Sequence, residues 1–146
     1  MTIVYFDSSA FVKLVVEEPG SELAAALWDG CDAAVSSRLA YPEVRSALAA
    51  AGRAQRLDPA GQLHAESLWE DFWAATRPVE FTEAIATHAG ELASRHSLRG
   101  ADAVHLASLL AVSRTETVFA VWDGRLRSGA EAAGIRIAPA GPGDPQ

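Results

Sequence analysis

The stretch TIVYFDSSAFVKLVV, residues 2–16, contains the signals that decide the fold. Its first five residues, Thr2–Phe6, are mostly β-branched or aromatic and predict a short strand that ends at Asp7. The two serines that follow are residue types that cap helices, and the apolar segment after them predicts a helix over Ala10–Val16. The chain is therefore expected to open with a strand, an acidic turn and a helix.

The same succession of strand and helix recurs along the chain. Four further strands are predicted, over Ala33–Ser36, Val79–Phe81, Thr117–Trp122 and Ile135–Ile137. Helical patterns lie between them, over Glu22–Trp28, Leu39–Ala51, residues 58–75, Glu83–His96, a segment from Ala101, and residues 125–133. Strands that alternate with helices predict an α/β fold, a three-layer α/β/α sandwich with a central, mostly parallel sheet.

The composition excludes several classes of protein. Of the 146 residues, 49% are hydrophobic, which supports an ordinary core and excludes a disordered or disulfide-stapled chain. The single cysteine, Cys31, excludes an intramolecular disulfide and a thiolate zinc cluster. We expect one domain over residues 1–138 and a disordered tail over residues 139–146, which are rich in Pro and Gly.

Charge and hydropathy indicate where the protein is located and what it can bind. The first residues lack the pattern of a signal peptide, and no apolar run approaches the about 18 residues of a membrane span. We therefore expect a cytoplasmic protein without membrane contact. The net charge of −7 argues against non-specific coating of nucleic acid, although a local site could still bind it.

Four acidic residues fall where an α/β sheet builds its sites. Asp7 and Asp123 each follow a strong strand, and Glu43 and Asp102 each lie in the first turn of a predicted helix. The carboxyl ends of parallel strands and the starts of the following helices share one edge of the sheet, so we expect a common pocket. Each acid alone is also explained by capping or by the helix dipole, an explanation that weakens for all four together.

Four clustered carboxylates require a cation. Two unit charges about 4 Å apart repel by about 4 kcal/mol at an effective dielectric constant of about 20. Oxygen ligands without cysteine favour Mg²⁺ or Mn²⁺, which bind phosphate oxygens and activate water. The acids therefore indicate metal-assisted phosphodiester hydrolysis, and the lack of a glycine-rich phosphate-binding motif predicts no nucleotide cofactor.

Four segments resemble the successive signatures of one family. They are IVYFDSSAFVKL (3–14), YPEV (41–44), LRGADAVHLASLL (98–110) and FAVWDGRLRSGAEAAGI (119–135). They resemble PIN-domain ribonucleases and, more narrowly, the toxin component of bacterial VapBC toxin–antitoxin pairs. The resemblance spans essentially the whole chain. It implies a metal-dependent endoribonuclease that cuts structured RNA, such as tRNA or ribosomal RNA, to arrest translation.

The resemblance also assigns roles to residues. The acidic residues of the family fall on Asp7, Glu43, Asp102 and Asp123, here called the acidic quartet. By resemblance the three aspartates would bind the metal directly or through water, and Glu43 would bind it or polarise the attacking water. Ser9 would support Asp7 and the phosphate by hydrogen bonds. A PIN-like interaction module without catalysis is the alternative, and its expected mark would be a lost acid.

The resemblance further implies partners. Family toxins form homodimers and are inhibited by a cognate VapB-type antitoxin, whose arginine-bearing tail can enter the acidic site. An aromatic stripe could form the dimer or antitoxin surface, or could be ordinary core. Its residues are Trp28, Trp69, Phe72 and Trp73.

Four further side chains are weaker candidates. His105, one helical turn after Asp102, could approach the substrate or donate to a carboxylate, or could be a buried core histidine. Three arginines flank the last two acids in the sequence and could contact RNA phosphates or form exposed salt bridges. They are Arg99, Arg125 and Arg127.

Overall fold

The computed structural model describes residues 2–113 and 117–140. Five strands lie in these residues: β1 (Ile3–Phe6), β2 (Ala33–Ser37), β3 (Arg77–Val79), β4 (Thr117–Ala120) and β5 (Arg136–Ala138). The helices of the same residues are α1 (Ser8–Val15), α2 (Ser21–Gly30), α3 (Ala40–Arg53), α4 (Pro59–Ala74), α5 (Glu83–His96), α6 (Gly100–Val112) and α7 (Gly124–Ala132). The predicted alternation of strands and helices is confirmed.

The strands form one sheet in the order β3-β2-β1-β4-β5, and every neighbouring pair is parallel. β1 lies at the centre, where Ile3 pairs with Ala33 of β2 on one side and with Thr117 of β4 on the other. The chain runs outward from β1 through β2 to β3 and then returns to the other side of β1. The order of the strands therefore reverses between β1 and β4, which is where α/β proteins of this type place their sites.

The two faces of the sheet carry separate halves of the core. Val4 and Phe6 of β1 pack on one face with Phe11, Leu48 and residues of α1, α3 and α4. Tyr5 points to the opposite face and packs with residues of α5, α6 and α7, including Leu106. This alternation along β1 is what a strand with both faces covered requires. The three-layer sandwich is confirmed, with a sheet that is entirely parallel in the described residues.

The third strand differs from its prediction over Val79–Phe81. It runs from Arg77 to Val79, so that Pro78 lies inside it, opposite Ser36 of β2. Proline cannot donate to a neighbouring strand, but β3 lies at the edge of the sheet and has only β2 beside it. Phe81 falls outside the strand and is largely exposed.

Two helices begin differently from the sequence prediction. Helix α1 starts at Ser8, and its cap is Asp7, whose Oδ1 accepts a hydrogen bond from the N–H of Ala10. The prediction that the serines cap α1 is wrong because the aspartate side chain already reaches the free N–H. Helix α7 begins at Gly124, and its cap is Asp123, whose Oδ1 accepts a hydrogen bond from the N–H of Leu126. The strand before it, β4, ends at Ala120, before Trp122.

The aromatic stripe is core at its centre. Trp69 is fully buried, with its ring 4.8 Å from that of Phe11 and 5.5 Å from that of Trp73. Of the two alternatives, ordinary core is therefore confirmed for Trp69, because its ring is enclosed by other rings. Trp28, Phe72 and Trp73 are partly buried against the same core, and their role in an interface stays a prediction.

Two further expectations concern the end of the chain and the membrane. The predicted tail, residues 139–146, lies outside the described residues from residue 141 onward. Within residues 2–113 and 117–140, no helix combines the length and the apolarity that crossing a bilayer requires.

Candidate active site

The acidic quartet lies along the carboxyl edge of the central strands. Asp7 follows β1 directly and Asp123 follows β4 after two residues, while Glu43 and Asp102 lie in the first turns of α3 and α6. Each residue is placed there by the crossover that the parallel sheet requires. Four acids that are widely separated in the sequence thus lie along the same edge of the sheet.

Asp7 is buried, with 3% of its surface exposed. Its Oδ1 accepts hydrogen bonds from Ser9 Oγ at 2.7 Å and from the N–H of Ala10 at 2.9 Å. The pKa of Asp7 is raised to about 6, chiefly by burial and to a smaller extent by the negative charge of Glu43, and the hydrogen bonds from Ser9 and Ala10 and the nearby His105 oppose this rise. Ser9 therefore supports Asp7, as the family resemblance implied.

Glu43 is held by a histidine from another helix. The Nε2 atom of His105 lies 2.5 Å from Oε1 of Glu43, and the side chain of Glu43 is 27% exposed. Nδ1 of His105 lies 2.8 Å from the hydroxyl of Tyr5. The sequence left two alternatives for His105, a buried core histidine or a donor to a carboxylate. The structure shows both, since His105 is buried and is bonded to Glu43.

Asp102 and Asp123 share one arginine. Arg99 lies with Nε 3.5 Å from Oδ2 of Asp102 and with Nη2 3.9 Å from Oδ2 of Asp123, and its own side chain is 71% exposed. Burial and the charge of Asp123 raise the pKa of Asp102, while Arg99 lowers it. The buried Oδ2 of Asp102 accepts no hydrogen bond from the described residues.

The quartet is one electrostatic group, although its oxygens are not gathered around a point. Glu43 acts on the pKa of Asp7, Asp123 acts on that of Asp102, and His105 lowers both. Across the described part of the chain, however, no three His, Cys, Asp or Glu side chains are arranged to hold a metal ion. An ion that bound here would have to turn the carboxylates away from their present protein partners.

The donor set nevertheless suits a hard divalent cation. All four acids supply carboxylate oxygens, and one of these oxygens, Oδ2 of Asp102, is buried without a hydrogen bond. Burial raises the pKa of Asp7, and a nearby cation would lower it again by stabilising the charged carboxylate. The fit is therefore one of chemistry and charge.

The other two candidate arginines differ in their surroundings. Arg127 donates from Nη1 to the main-chain carbonyl of Val121 at 3.0 Å, so part of its guanidinium supports the loop before α7. Arg125 is exposed and lines a pocket of about 360 Å³ together with His96 and Ser128. Contact with RNA stays a prediction for both.

Tyr5 is the participant that the sequence analysis missed. The sequence pattern shows it only as one aromatic residue of the first strand, whereas its hydroxyl accepts from the N–H of Ser37 at 3.0 Å and is bonded to His105. One signal was available in the sequence. A tyrosine within a buried strand needs a partner for its hydroxyl, and the partner tends to belong to a polar site.

Residues 4–119 match the family model described as PIN domain. The chain belongs to the PIN domain family. Two curated relatives, Ribonuclease VapC45 and Ribonuclease VapC49 from two strains of Mycobacterium tuberculosis, are each 66% identical to it over 140 residues. The match covers 96% of this chain and 97% of each relative. The resemblance to VapC-type PIN proteins is thereby confirmed.

Solved structures of other PIN proteins share the fold. The crystal structure of Mycobacterium tuberculosis VapC20, described as a sarcin–ricin loop cleaving toxin, superposes with a TM-score of 0.66 at 18% identity, covering 90% of this chain and 95% of that one. The structure of VapBC2 from Rickettsia felis, bound to a promoter DNA fragment, gives a TM-score of 0.63 at 10% identity, with coverage of 93% and 97%. At these identities the likeness concerns the fold alone.

Proposed function

We propose that this PIN-domain protein is the ribonuclease toxin of a toxin–antitoxin pair, and that it hydrolyses phosphodiester bonds in structured RNA with the help of Mg²⁺ or Mn²⁺. The observation that carries the proposal is the acidic quartet, four carboxylates at one sheet edge beside one largely exposed guanidinium. The 66% identity to two proteins named Ribonuclease VapC supports the ribonuclease activity. Such an activity would be exerted in the cytoplasm, where the RNA is.

The residues of the quartet would divide the work. When bound, Mg²⁺ or Mn²⁺ supplies a water of lowered pKa and stabilises the charge that develops on phosphorus and on the leaving oxygen. Asp7, Asp102 and Asp123 would hold the ion. Glu43, oriented by His105, would bind the ion or polarise the attacking water. Ser9 keeps Oδ1 of Asp7 in place.

Arg99 has a second use in this scheme. Its guanidinium lies between the carboxylates of Asp102 and Asp123, where it offsets their repulsion. With an ion held by the quartet, the exposed arginine would be available to bind a phosphate oxygen of the RNA, for which its planar fork is suited.

The substrate class and the protein partner are proposed from the relatives. A structural neighbour is described as cleaving the sarcin–ricin loop, which supports ribosomal RNA or tRNA as the class of substrate. Other neighbours are toxin–antitoxin assemblies, which supports a VapB-type antitoxin as partner. We also propose a homodimer, which rests on the family resemblance.

Expression in a bacterial host without an antitoxin tests the activity. We expect the wild type to arrest growth and Asp7→Asn and Asp102→Asn to abolish the arrest, because each substitution removes a ligand charge. Asp58→Asn is the control, since Asp58 also caps a helix but is exposed and far from the quartet in the sequence. Undiminished arrest by both site variants would exclude the mechanism.

Calorimetry tests the metal separately. Titration of Mn²⁺ into the wild type should release or absorb heat that is lost in Asp123→Ala, and equal heats would count against binding at the quartet. A PIN-like interaction module without catalysis is the second candidate, favoured by the absence of an assembled three-ligand set among the described residues. It predicts no metal-dependent cleavage of RNA by the wild type.

A further inference from the structure

A buried chain of hydrogen bonds links the centre of the sheet to the quartet. The hydroxyl of Tyr5 in β1 lies 2.8 Å from Nδ1 of His105 in α6, and Nε2 of His105 lies 2.5 Å from Oε1 of Glu43 in α3. Tyr5 and His105 are almost completely buried, whereas Glu43 reaches the surface of the site. Three elements distant in sequence are thus joined through a single imidazole.

The donors and acceptors of this chain fit one arrangement of hydrogens. An ionised carboxylate only accepts, so His105 donates to Glu43 from Nε2. In a neutral imidazole Nδ1 is then the acceptor, and the Tyr5 hydroxyl donates to it. The N–H of Ser37 donates to the Tyr5 oxygen at 3.0 Å, and Nδ1 of His105, at 2.8 Å, is the ring acceptor within reach of the hydroxyl proton.

The hydroxyl is not required for packing. The ring of Tyr5 contacts Phe119 edge to face, with 5.3 Å between centroids, and a phenylalanine would fill the same space. A hydroxyl buried in the middle of a sheet is unfavourable unless its hydrogen bonds are made. Its presence therefore has to be explained by the groups it binds, which include the Ser37 N–H, His105 and the side chains of Ser36 and Ser108.

We propose that Tyr5 is a positioning residue of the acidic site. Its hydroxyl holds His105 in the tautomer that donates from Nε2, and His105 in turn fixes Oε1 of Glu43. The other oxygen of Glu43, Oε2, is thereby left for the ion or the attacking water. The role of Oε2 of Glu43 rests on the proposed function. The hydrogen-bond arrangement of Tyr5, His105 and Glu43 does not depend on it.

Tyr5→Phe is the variant that tests the proposal, because it removes one oxygen and keeps the ring. Tyr41→Phe is the matched control. The Tyr41 hydroxyl also donates to a glutamate, Glu70 at 2.6 Å, but that pair is exposed and outside the quartet. Both variants are compared with the wild type by long-range ¹H–¹⁵N NMR of the histidine rings and by Mn²⁺ calorimetry. His105→Gln identifies the signals of His105 among those of the four histidines.

The NMR spectrum reports the arrangement directly. We expect the wild type to show His105 as the single tautomer protonated at Nε2, Tyr5→Phe to lose that single pattern, and Tyr41→Phe to retain it. A wild-type pattern with the proton on Nδ1, or on both nitrogens, overturns the proposal without reference to any variant. That result would be informative even if Tyr5→Phe failed to fold.

The affinity for Mn²⁺ reports the consequence at the site. Partners that orient a ligand typically contribute 10–100-fold to metal affinity, so we expect Tyr5→Phe to weaken Mn²⁺ binding by about 10-fold. In a Glu43→Gln background the same change should add nothing, because Tyr5 acts through Glu43. Equal affinity of Tyr5→Phe and wild type would overturn the role of Tyr5 and leave the proposed function standing. A wild type that binds no Mn²⁺ would instead refute the metal site, with the NMR pattern still deciding the arrangement of the chain.

Discussion

The substitution Asp7→Asn should stabilise the metal-free protein while removing its activity. Asp7 caps α1 by accepting hydrogen bonds from Ser9 and from the N–H of Ala10. Asparagine is as good a cap as aspartate, and its side-chain oxygen can accept the same bonds. The substitution therefore removes the buried charge of Asp7 and little else.

The magnitude follows from the pKa of Asp7, which is about 6 in the fold and 3.8 for an ordinary aspartate. One pH unit of difference corresponds to about 1.4 kcal/mol, so ionising Asp7 costs the folded state about 3 kcal/mol. The lost attraction between the carboxylate and the helix N-terminus offsets about 0.3–1 kcal/mol. We expect a net gain of about 2–3 kcal/mol in the free energy of unfolding at pH 7.5.

The sign of the pH dependence is fixed by the same pKa values. Because the pKa is higher in the fold, the folded state binds the proton more tightly than the unfolded chain does. Asp7 therefore does not lower stability below about pH 4, and its unfavourable contribution develops as the pH rises to about 6 and above. The advantage of Asp7→Asn should be absent at pH 4, grow up to about pH 6 and then level off.

Urea unfolding in EDTA between pH 4 and pH 8 measures this difference. Asp58→Asn is the control, because Asp58 makes the same kind of cap bond, to the N–H of Gly61 at 2.7 Å, on an exposed surface. Its stability should follow that of the wild type at every pH. If Asp7→Asn proved less stable than the wild type at pH 7.5, or if the difference did not change with pH, burial of a charge at Asp7 would be refuted.

Three further predictions concern the fold and are checked by the same unfolding measurement. Gly20→Ala should destabilise the fold by at least about 1 kcal/mol, since Gly20 has φ +96° and an added Cβ would lie 3.0 Å from two side chains. Gly30→Ala should not destabilise it, because a Cβ added at Gly30 would meet no neighbouring atom within 4 Å. Trp69→Ala should cost about 3–5 kcal/mol, because Trp69 is fully buried, and Leu63→Ala, at an exposed leucine, should change stability by less than about 0.5 kcal/mol. Thr82→Ala should lose about 1 kcal/mol with the cap of α5, and Thr82→Ser should retain it. Equal effects within any of these pairs would contradict the assigned contact.

The positions of the acidic quartet could be predicted because they depend on topology alone. Asp7 and Asp123 follow apolar strands, and parallel pairing of β1 with β4 brings the ends of those strands to one edge. The family resemblance selected the same residues. The bounds of the edge strand β3 were harder to predict, because proline is disfavoured inside most strands. Pro78 is tolerated here because β3 has β2 as its single neighbour.

The connections within the site could not be predicted from the sequence. His105 and Tyr5 are 100 residues apart, and His105 and Glu43 are 62 apart, so no local pattern links them. Their contact depends on which face of α6 turns toward the sheet, and the nearly uniform apolar character of that helix hides the answer. The directions of the carboxylates were also beyond prediction, because those of Asp7, Glu43 and Asp123 follow hydrogen-bond donors that only the fold brings near them.

The charge of the site implies that a metal ion and an inhibitory arginine would weaken each other's binding. Burial and a neighbouring acid raise the pKa of both Asp7 and Asp102. His105 lowers both pKa values, and the largely exposed Arg99 lowers that of Asp102, but these effects offset the rise only in part. Any cation that binds the folded site relieves the same repulsion and stabilises the fold, by about 2.7 kcal/mol at a concentration of 100 Kd. The gain from a second cation is smaller, since it would meet carboxylates whose charge the first cation has already partly offset. An antitoxin arginine that enters the quartet, as the family resemblance implies, would therefore weaken metal binding through charge alone, even without displacing a single ligand.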